Sequence, residues 1–312
     1  LEDLLKIGAN ALRKAALNET AKEYLLENET LFQILKKAAN RYIGGDTLTE
    51  AVEKVKVASE DGFKCSLEFI GESTRSEVEA LSATDEFVSI CRAISHIELN
   101  STISLDLSHI GLAISPELCL HHLDLICTEA AKAGTEVIIS AEGTDRTDSV
   151  LKTYQDIAKK HQNVAITLQA YLYRTQEDIH DLMQNNGRIR LVKGAFETPN
   201  GLSLPRGKAL NDAYLGYLDL LLSKDHLCSI ATHDHVIQQE AKKLIELHRS
   251  DRTLYEFESL YGIRNDQLQQ LKSEGFPTKH YFVYGKEWYL YLCNRIAEYP
   301  LNIFQALDDL VQ

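Results

Sequence analysis

The sequence predicts a (β/α)8 barrel, and three features carry that expectation. From residue 64 onward, short apolar and β-branched runs alternate with longer amphipathic ones, as strands and crossover helices of a parallel sheet do. About eight such units occur, the count that closes a barrel. Nearly every run also turns polar at its C-terminal end, and in a barrel those ends meet on the one face where such folds place their chemistry. An open doubly wound sheet is the alternative. Against it, no G-x-G-x-x-G follows any strand, and GLSLPRGKA has one residue too many and no Ser/Thr for a P-loop.

Residues 1–60 read as helix and form an N-terminal arm, with the barrel taking 61–312. The arm is amphipathic in LEDLLKIGANALRKAAL and YLLENETLFQILKKAANRYI and is broken at Gly44 and Gly45. Thr47 and Glu50 then stand at capping-box spacing before a further helix. The strand runs are KCSLEFIG, TISLDLSHIG, EVIISAE, VAITLQAY, RIRLVKGAF, CSIATHD, TLYEFESLYG and HYFVYG. After the second, SPELCLHHLDLICTEAAKAG reads as a helix capped by Ser115 with Pro116 in its first turn. Its HHLD, His121 to Asp124, falls mid-helix and decorates a surface. The polar strand ends bring together Glu72, Asp106, Ser140 with Glu142, Gln169, Arg190 with Lys193, Thr232 with His233, Glu256 with Glu258, and Tyr281. Asp106 is the oddest of these. It interrupts the apolar run ISLDLSHIGL, where a carboxylate is costly unless paired, hydrogen-bonded or protonated.

Composition narrows the function. With 44% hydrophobic and 25% charged residues in 312, the chain is globular in type, and no apolar stretch is long enough to span a bilayer as a helix. A net charge of −13 argues against nucleic acid as a partner, because phosphate backbones need basic surface. The six cysteines have no metal-like spacing and read as reduced core thiols of a cytoplasmic protein. The chain opens at Leu1 without an initiator Met or a signal-type region, so a trimmed start is expected. No residue pattern indicates an oligomeric state.

Several constellations carry chemistry. Arg190 and Lys193 lie within an apolar strand, either snorkelling to an acidic rim or facing an anionic cofactor or substrate, with Gly194 allowing close backbone approach. Lys193 alone also suits a Schiff-base lysine. In THDH, strand alternation would put His233 and His235 on one side, as chelation by a metal-dependent barrel hydrolase requires, with Glu142 or Glu258 completing the set. In EWYLYLCNRIAEYP, Arg295 and Glu298 form a surface pair at i,i+3, or Arg295 points to the mouth to meet a carboxylate. ETPNGLSLPRGKALNDAY, with Arg206 and Lys208, is long enough for a lid or phosphate clamp, or is a plain connector.

In this order, FIGES, ISLDLSHIGL, IISAEGTDRTDSVLKTYQ, ITLQAYLYRT, RIRLVKGAF, ATHDH, YEFESLYGIR and YFVYGKEWYLYLCNRIAEYP resemble the proline dehydrogenase family. That family consists of flavoenzymes that oxidise L-proline to Δ1-pyrroline-5-carboxylate in a distorted (β/α)8 barrel. The resemblance implies an FAD site with contacts from Ala141, Gln169, Arg190, Val192, Lys193 and Gly194. It further implies contacts from Ala195, Thr232 and His233, with Arg206 and Lys208 near the pyrophosphate. It implies hydride transfer from the carbon beside the amine nitrogen to flavin N5 near Arg190, with Ser140 and Tyr281 as the other catalytic positions. Reduced flavin then passes electrons to a quinone, which implies peripheral membrane contact. Substrate would meet Asp106, Tyr281, Asn294, Arg295 and Glu298.

The carboxylate end of the site departs from the family pattern. Where the family has a strand Lys and two consecutive Arg, this chain has Asp106, Asn294 and Arg295, and Ser140 stands for a strand Asp. Glu72 matches a gate acid whose Arg partner is here Asn294, and Glu258 replaces a Gln. Two like charges about 4 Å apart repel by roughly 4 kcal/mol at an effective dielectric of 20. The expected substrate is therefore proline, if Asp106 is neutralised by Arg295 or by a proton, or a proline-like cyclic amine whose carboxylate is masked, absent or balanced.

Overall fold

The computed structural model describes residues 7, 8, 11, 14, 18–71 and 73–298. Eight parallel strands close in sequence order, with the last pairing back on the first. They are β1 (Lys64–Phe69), β2 (Ser101–Leu105), β3 (Val137–Ile139), β4 (Val164–Gln169), β5 (Ile189–Val192), β6 (Cys228–Ala231), β7 (Tyr255–Leu260) and β8 (Thr278–Tyr284). Each overlaps one of the eight predicted runs, with β2 starting one residue and β8 two residues earlier than expected. The closed order removes the open-sheet alternative.

Three helices precede β1, namely α1 (Glu19–Glu27), α2 (Glu29–Ala39) and α3 (Leu48–Glu60). The pattern LEDLLKIGANALRKAAL lies mostly outside the described residues. The second pattern is two helices rather than one, because Asn28 is extended and its side chain accepts the Leu31 N–H at 3.1 Å, capping α2. The capping box at Thr47 and Glu50 forms as expected and starts α3. That helix buries Ala51, Val55 and Ala58 in the same core as Cys65 and Leu67 of β1. The barrel's packing thus begins before residue 61, and α1 with α2 are the part that stands apart from its core.

The remaining helices are α4 (Glu77–His96), α5 (Pro116–Lys132), α6 (Thr147–Ala158), α7 (Thr175–Leu182), α8 (Lys208–Ser223), α9 (His235–His248), α10 (Asn265–Ser273) and α11 (Trp288–Glu298). Ser115 caps α5 as predicted, accepting the Leu118 N–H at 3.2 Å. HHLD is not mere surface. His122 is buried with Nδ1 3.0 Å from the Ile110 carbonyl, and Asp124 pairs with His161 at 2.6 Å, tying α5 to its neighbours.

The apolar core lies between the sheet and the helices, whereas the lumen is polar. Barrels of this class usually fill the lumen with branched aliphatic side chains. Here strand alternation points Ser66, Ser104, Thr167, Arg190, Ser229 and Glu258 into it, joined by hydrogen bonds such as Ser66 to Ser104 at 2.8 Å. Glu256, expected at the mouth, lies deeper. It accepts from Lys279 Nζ at 2.5 Å and Ser229 Oγ at 2.6 Å, with Lys64 Nζ at 3.2 Å. Burial pushes its carboxyl up, but Lys279, Arg188 and Lys64 outweigh burial and hold it well below the usual range.

All six cysteines are buried free thiols. Burial also holds three histidines neutral, pushing His109, His233 and His280 each down to about 4. An unfolded chain takes up these protons near 6.5 and the folded one only near 4. Their contribution is therefore present above pH 6.5 and lost as pH falls toward 4. Thermal denaturation across that window should show a falling melting temperature, and His280→Leu should make the fall shallower.

Candidate active site

The C-terminal strand ends open on a cavity of about 1670 Å3, closed on one side by α11. On its floor lies Arg190, reached through β5 and only 4% exposed. Its Nε donates to Thr167 Oγ1 at 2.8 Å, Nη1 to Ser104 Oγ at 2.9 Å and Glu258 Oε1 at 3.3 Å, and Nη2 to Ser140 Oγ at 3.0 Å. The guanidinium carbon sits 5.0 Å from the Tyr281 ring centroid. Arg190 does not snorkel. It is a cation fixed by side chains of β2, β4 and β7 and by Ser140 just after β3, and Glu258 lies 2.8 Å from Lys279 of β8.

The opposite wall is acidic. Asp106 follows β2 rather than interrupting it, since the strand ends at Leu105 and a 3-10 turn, Leu107–Ile110, starts immediately after. Burial and the neighbouring carboxyls of Glu68 and Glu142 push Asp106 well above the usual range, against Arg190 and Arg146. Glu68, on β1, accepts from Ser140 Oγ at 3.3 Å. Burial pushes it up to about 7, despite Arg190 and the Ser140 hydrogen bond. Glu142 is better satisfied, taking the Ser108 N–H at 2.8 Å and Arg146 Nη1 at 3.0 Å. Glu68 was not among the residues singled out from sequence. Its signal was its place two residues beyond Ser66, on the inward side of the strand.

The residues expected to hold a cofactor gather on the β3 to β6 side. Ala141, Gln169, Val192, Lys193, Gly194, Ala195, Arg206, Thr232 and His233 all line the cavity. Gly194 has φ of +104°, and a Cβ there would collide with the Tyr171 ring, so glycine is required twice over. Arg206 Nη2 donates to the Gly194 carbonyl at 2.8 Å. Lys193 pairs with Asp234 at 2.5 Å, an ion pair rather than the isolated amine of a Schiff-base site. Lys208 departs from the group, exposed in the first turn of α8 and bound to Asp212 at 2.7 Å. The segment before α8 is no loose connector, because Leu204 N–H donates to the Tyr171 carbonyl at 2.7 Å and Ser203 bridges Leu172.

THDH is not a chelating pair. β6 ends at Ala231, and Asp234 caps α9 by accepting the Val236 N–H at 2.9 Å. His235 is therefore exposed on a helix. His233 Nε2 accepts the Leu260 N–H at 3.0 Å, which uses the lone pair a metal would need.

Tyr281, Asn294 and Arg295 line the mouth, with the Arg295 guanidinium 5.0 Å from the Tyr291 ring. Glu72 and the Glu298 side chain lie outside the described residues.

Fold and site together define a (β/α)8-barrel enzyme with its chemistry at the C-terminal mouth. A family model described as proline dehydrogenase matches residues 51–298. Proline dehydrogenase 1 of Bacillus subtilis (strain 168) is 33% identical over 294 residues, covering 93% of this chain and 97% of the relative. Proline dehydrogenase of Deinococcus radiodurans is 28% identical, covering 93% and 94% respectively. Among solved structures, proline utilization A (PutA) of Bdellovibrio bacteriovorus, inactivated by N-propargylglycine, matches 94% of this chain with a TM-score of 0.81 at 19% identity. The chain spans 37% of that PutA, and 30% of a Bradyrhizobium japonicum PutA matched at TM-score 0.70. The chain belongs to the proline dehydrogenase family.

Glu258 holds two buried cations at once, so its removal leaves Arg190 with no carboxylate within 4.0 Å among the described residues and Lys279 with Glu256 alone. Breaking a buried pair in this way typically costs about 3–5 kcal/mol. Glu258→Leu should lower the melting temperature by several degrees or more, as read by thermal denaturation.

Proposed function

We propose that this chain is an FAD-dependent oxidoreductase that oxidises L-proline, or a close cyclic-amine relative, at the ring carbon beside the nitrogen, giving a Δ1-pyrroline product and passing electrons to a quinone-type acceptor. The observation that carries this reading is the immobilised Arg190 cation on the floor of a family-typical barrel mouth. A cavity of about 1670 Å3 exceeds the roughly 300–1,000 Å3 of ordinary small-ligand sites, which suits a dinucleotide together with a small amine. Lys193, Arg206 and the bare Gly194 backbone offer what a diphosphate favours. Gln169, Val192, Ala195, Thr232 and His233 would line the rest of the cofactor's bed. Bound there, FAD would supply a ring able to take up a hydride. Arg190 supplies the fixed positive charge that favours electron uptake there, and Tyr281 and α11 cover the substrate.

Asp106 need not repel a proline carboxylate. Its carboxyl is pushed well up by burial and by Glu68 and Glu142, and in its protonated form it can donate a hydrogen bond to that carboxylate while Arg295 supplies the positive charge. A second reading, a cyclic amine whose carboxylate is masked, is favoured by Asp106 and Asn294 lining the same mouth.

The purified protein should be yellow, and anaerobic L-proline should bleach it. Colourless protein overturns the flavin assignment, and yellow protein bleached by no cyclic amine points to a ligand-binding role. Asp106 gives a further expectation. As pH rises and it ionises, KM for proline should climb relative to KM for prolinamide, and Asp106→Asn should abolish that divergence.

A further inference from the structure

We propose that Glu68, positioned by Ser140, accepts the proton that the substrate's secondary ammonium must lose before its ring carbon can be oxidised. The inference rests on the amine-oxidation reading above. A hydride leaves the carbon readily only when the adjacent nitrogen has a free lone pair, and a protonated amine has none. The site therefore needs a proton acceptor within reach of the substrate nitrogen.

Most ionisable groups lining the cavity are already committed. Glu258 is bound to Arg190 and Lys279, Lys193 is paired with Asp234, and the His233 lone pair holds the Leu260 N–H. Glu142, just behind, binds Arg146. Glu68 and Asp106 are different. Both line the cavity, and neither has a cation within 4.0 Å among the described residues. Among the described residues Asp106 has no side-chain hydrogen bond, and Glu68 has one, from Ser140 Oγ, which in turn receives Arg190 Nη2. Glu68 is thus held in one place, with a carboxyl oxygen left for the substrate.

The charged groups facing Glu68 are Asp106 after β2, Glu142 after β3, Arg190 on β5 and Glu258 on β7. Three carboxyls oppose its ionisation and one guanidinium favours it. Burial adds to the opposition, and the balance at about 7 suits a group that must gain and lose a proton near neutrality. Asp106 is pushed up by the same neighbours, but no hydrogen bond among the described residues fixes its side chain, so Glu68 is the better placed acceptor. In the step itself, the substrate N–H bond breaks and an O–H bond forms on Glu68. The nitrogen keeps the electron pair, and nothing is oxidised until the hydride departs.

The test is Glu68→Gln in the flavin-loaded enzyme, followed by rapid-mixing measurement of flavin bleaching with L-proline between pH 5.5 and 9. Wild type should gain rate through an ionisation near 7. The variant should be slower by about 10²-fold or more at neutral pH and should lack that ionisation. Thiazolidine-4-carboxylate, whose ring sulfur makes the amine a weaker base, should lose much less. Ser140→Ala removes a hydrogen bond that favours the charged form, so its rate profile should shift to higher pH. Stability gives a readout independent of turnover. Folded Glu68 holds its proton from 4.5 up to about 7, so wild-type stability falls as pH rises through that window. Glu68→Gln should therefore melt higher than wild type above pH 7, with the advantage vanishing below 4.5. A Glu68→Gln enzyme with the wild-type rate and pH profile overturns the proposal while leaving amine oxidation intact. Wild-type flavin that no cyclic amine bleaches overturns both.

Discussion

Glu258 is the residue on which the polar lumen depends. It reaches from β7 to bind Lys279 of β8 on one side and Arg190 of β5 on the other. Taking charges out of water costs several kcal/mol each even after relaxation, and only close pairing with every donor satisfied offsets that cost. Serines and threonines complete the set. Ser104, Ser140 and Thr167 take the Arg190 hydrogens that Glu258 does not, so the guanidinium has little freedom to turn. A single fixed cation results, facing the cavity beneath Tyr281. The lumen gives up aliphatic packing to obtain it, and the core between sheet and helices carries the hydrophobic burial instead.

With Arg190 neutralised from below by Glu258, the mouth has too few cations for the carboxyls above it. Around Asp106, Arg190 and Arg146 favour ionisation while Glu68 and Glu142 oppose it, and around Glu68, Arg190 favours it while Glu142 and Glu258 oppose it. Like charges in a desolvated site do not all ionise, and the cheapest remedy is to keep a proton. The repulsion expected from Asp106 as a charged group therefore overstates the case. Pushed up by its surroundings, this carboxyl can carry a proton and serve as a hydrogen-bond donor, which is how the proposed site would still accept proline without the family's strand Lys.

The fold was readable because its strands are β-branched runs at regular spacing and its helices announce themselves through Thr47, Ser115 and their partners. The polar strand ends pointed to the mouth for the same reason, since parallel order puts them on one face. What was not readable depended on where an element stops or what lies across from it. Asp106 looked misplaced until β2 was seen to end at Leu105. His233 and His235 looked like neighbours in a strand, but Asp234 starts a helix between them. Glu68 looked ordinary because its importance comes from strands whose side chains meet it only after the barrel closes.

The substrate end depends on a contact far from the chemistry. Along α11, Trp288, Leu292 and Ile296 recur every four residues and bury against Ala38, Ala39, Tyr42 and Ile43. Phe32 of α2 meets Trp288 at 5.6 Å between ring centroids, and Lys36 lies 5.1 Å from the same ring. Tyr291, Asn294 and Arg295 fall on the other face, toward the cavity. The arm therefore sets the angle at which α11 presents its polar face, whatever residue occupies position 294. Asn294 changes the charge offered to a substrate without changing where it is offered. Specificity can thus diverge on α11 and β2 while the geometry held by α2 on one side and Glu258 on the other stays the same.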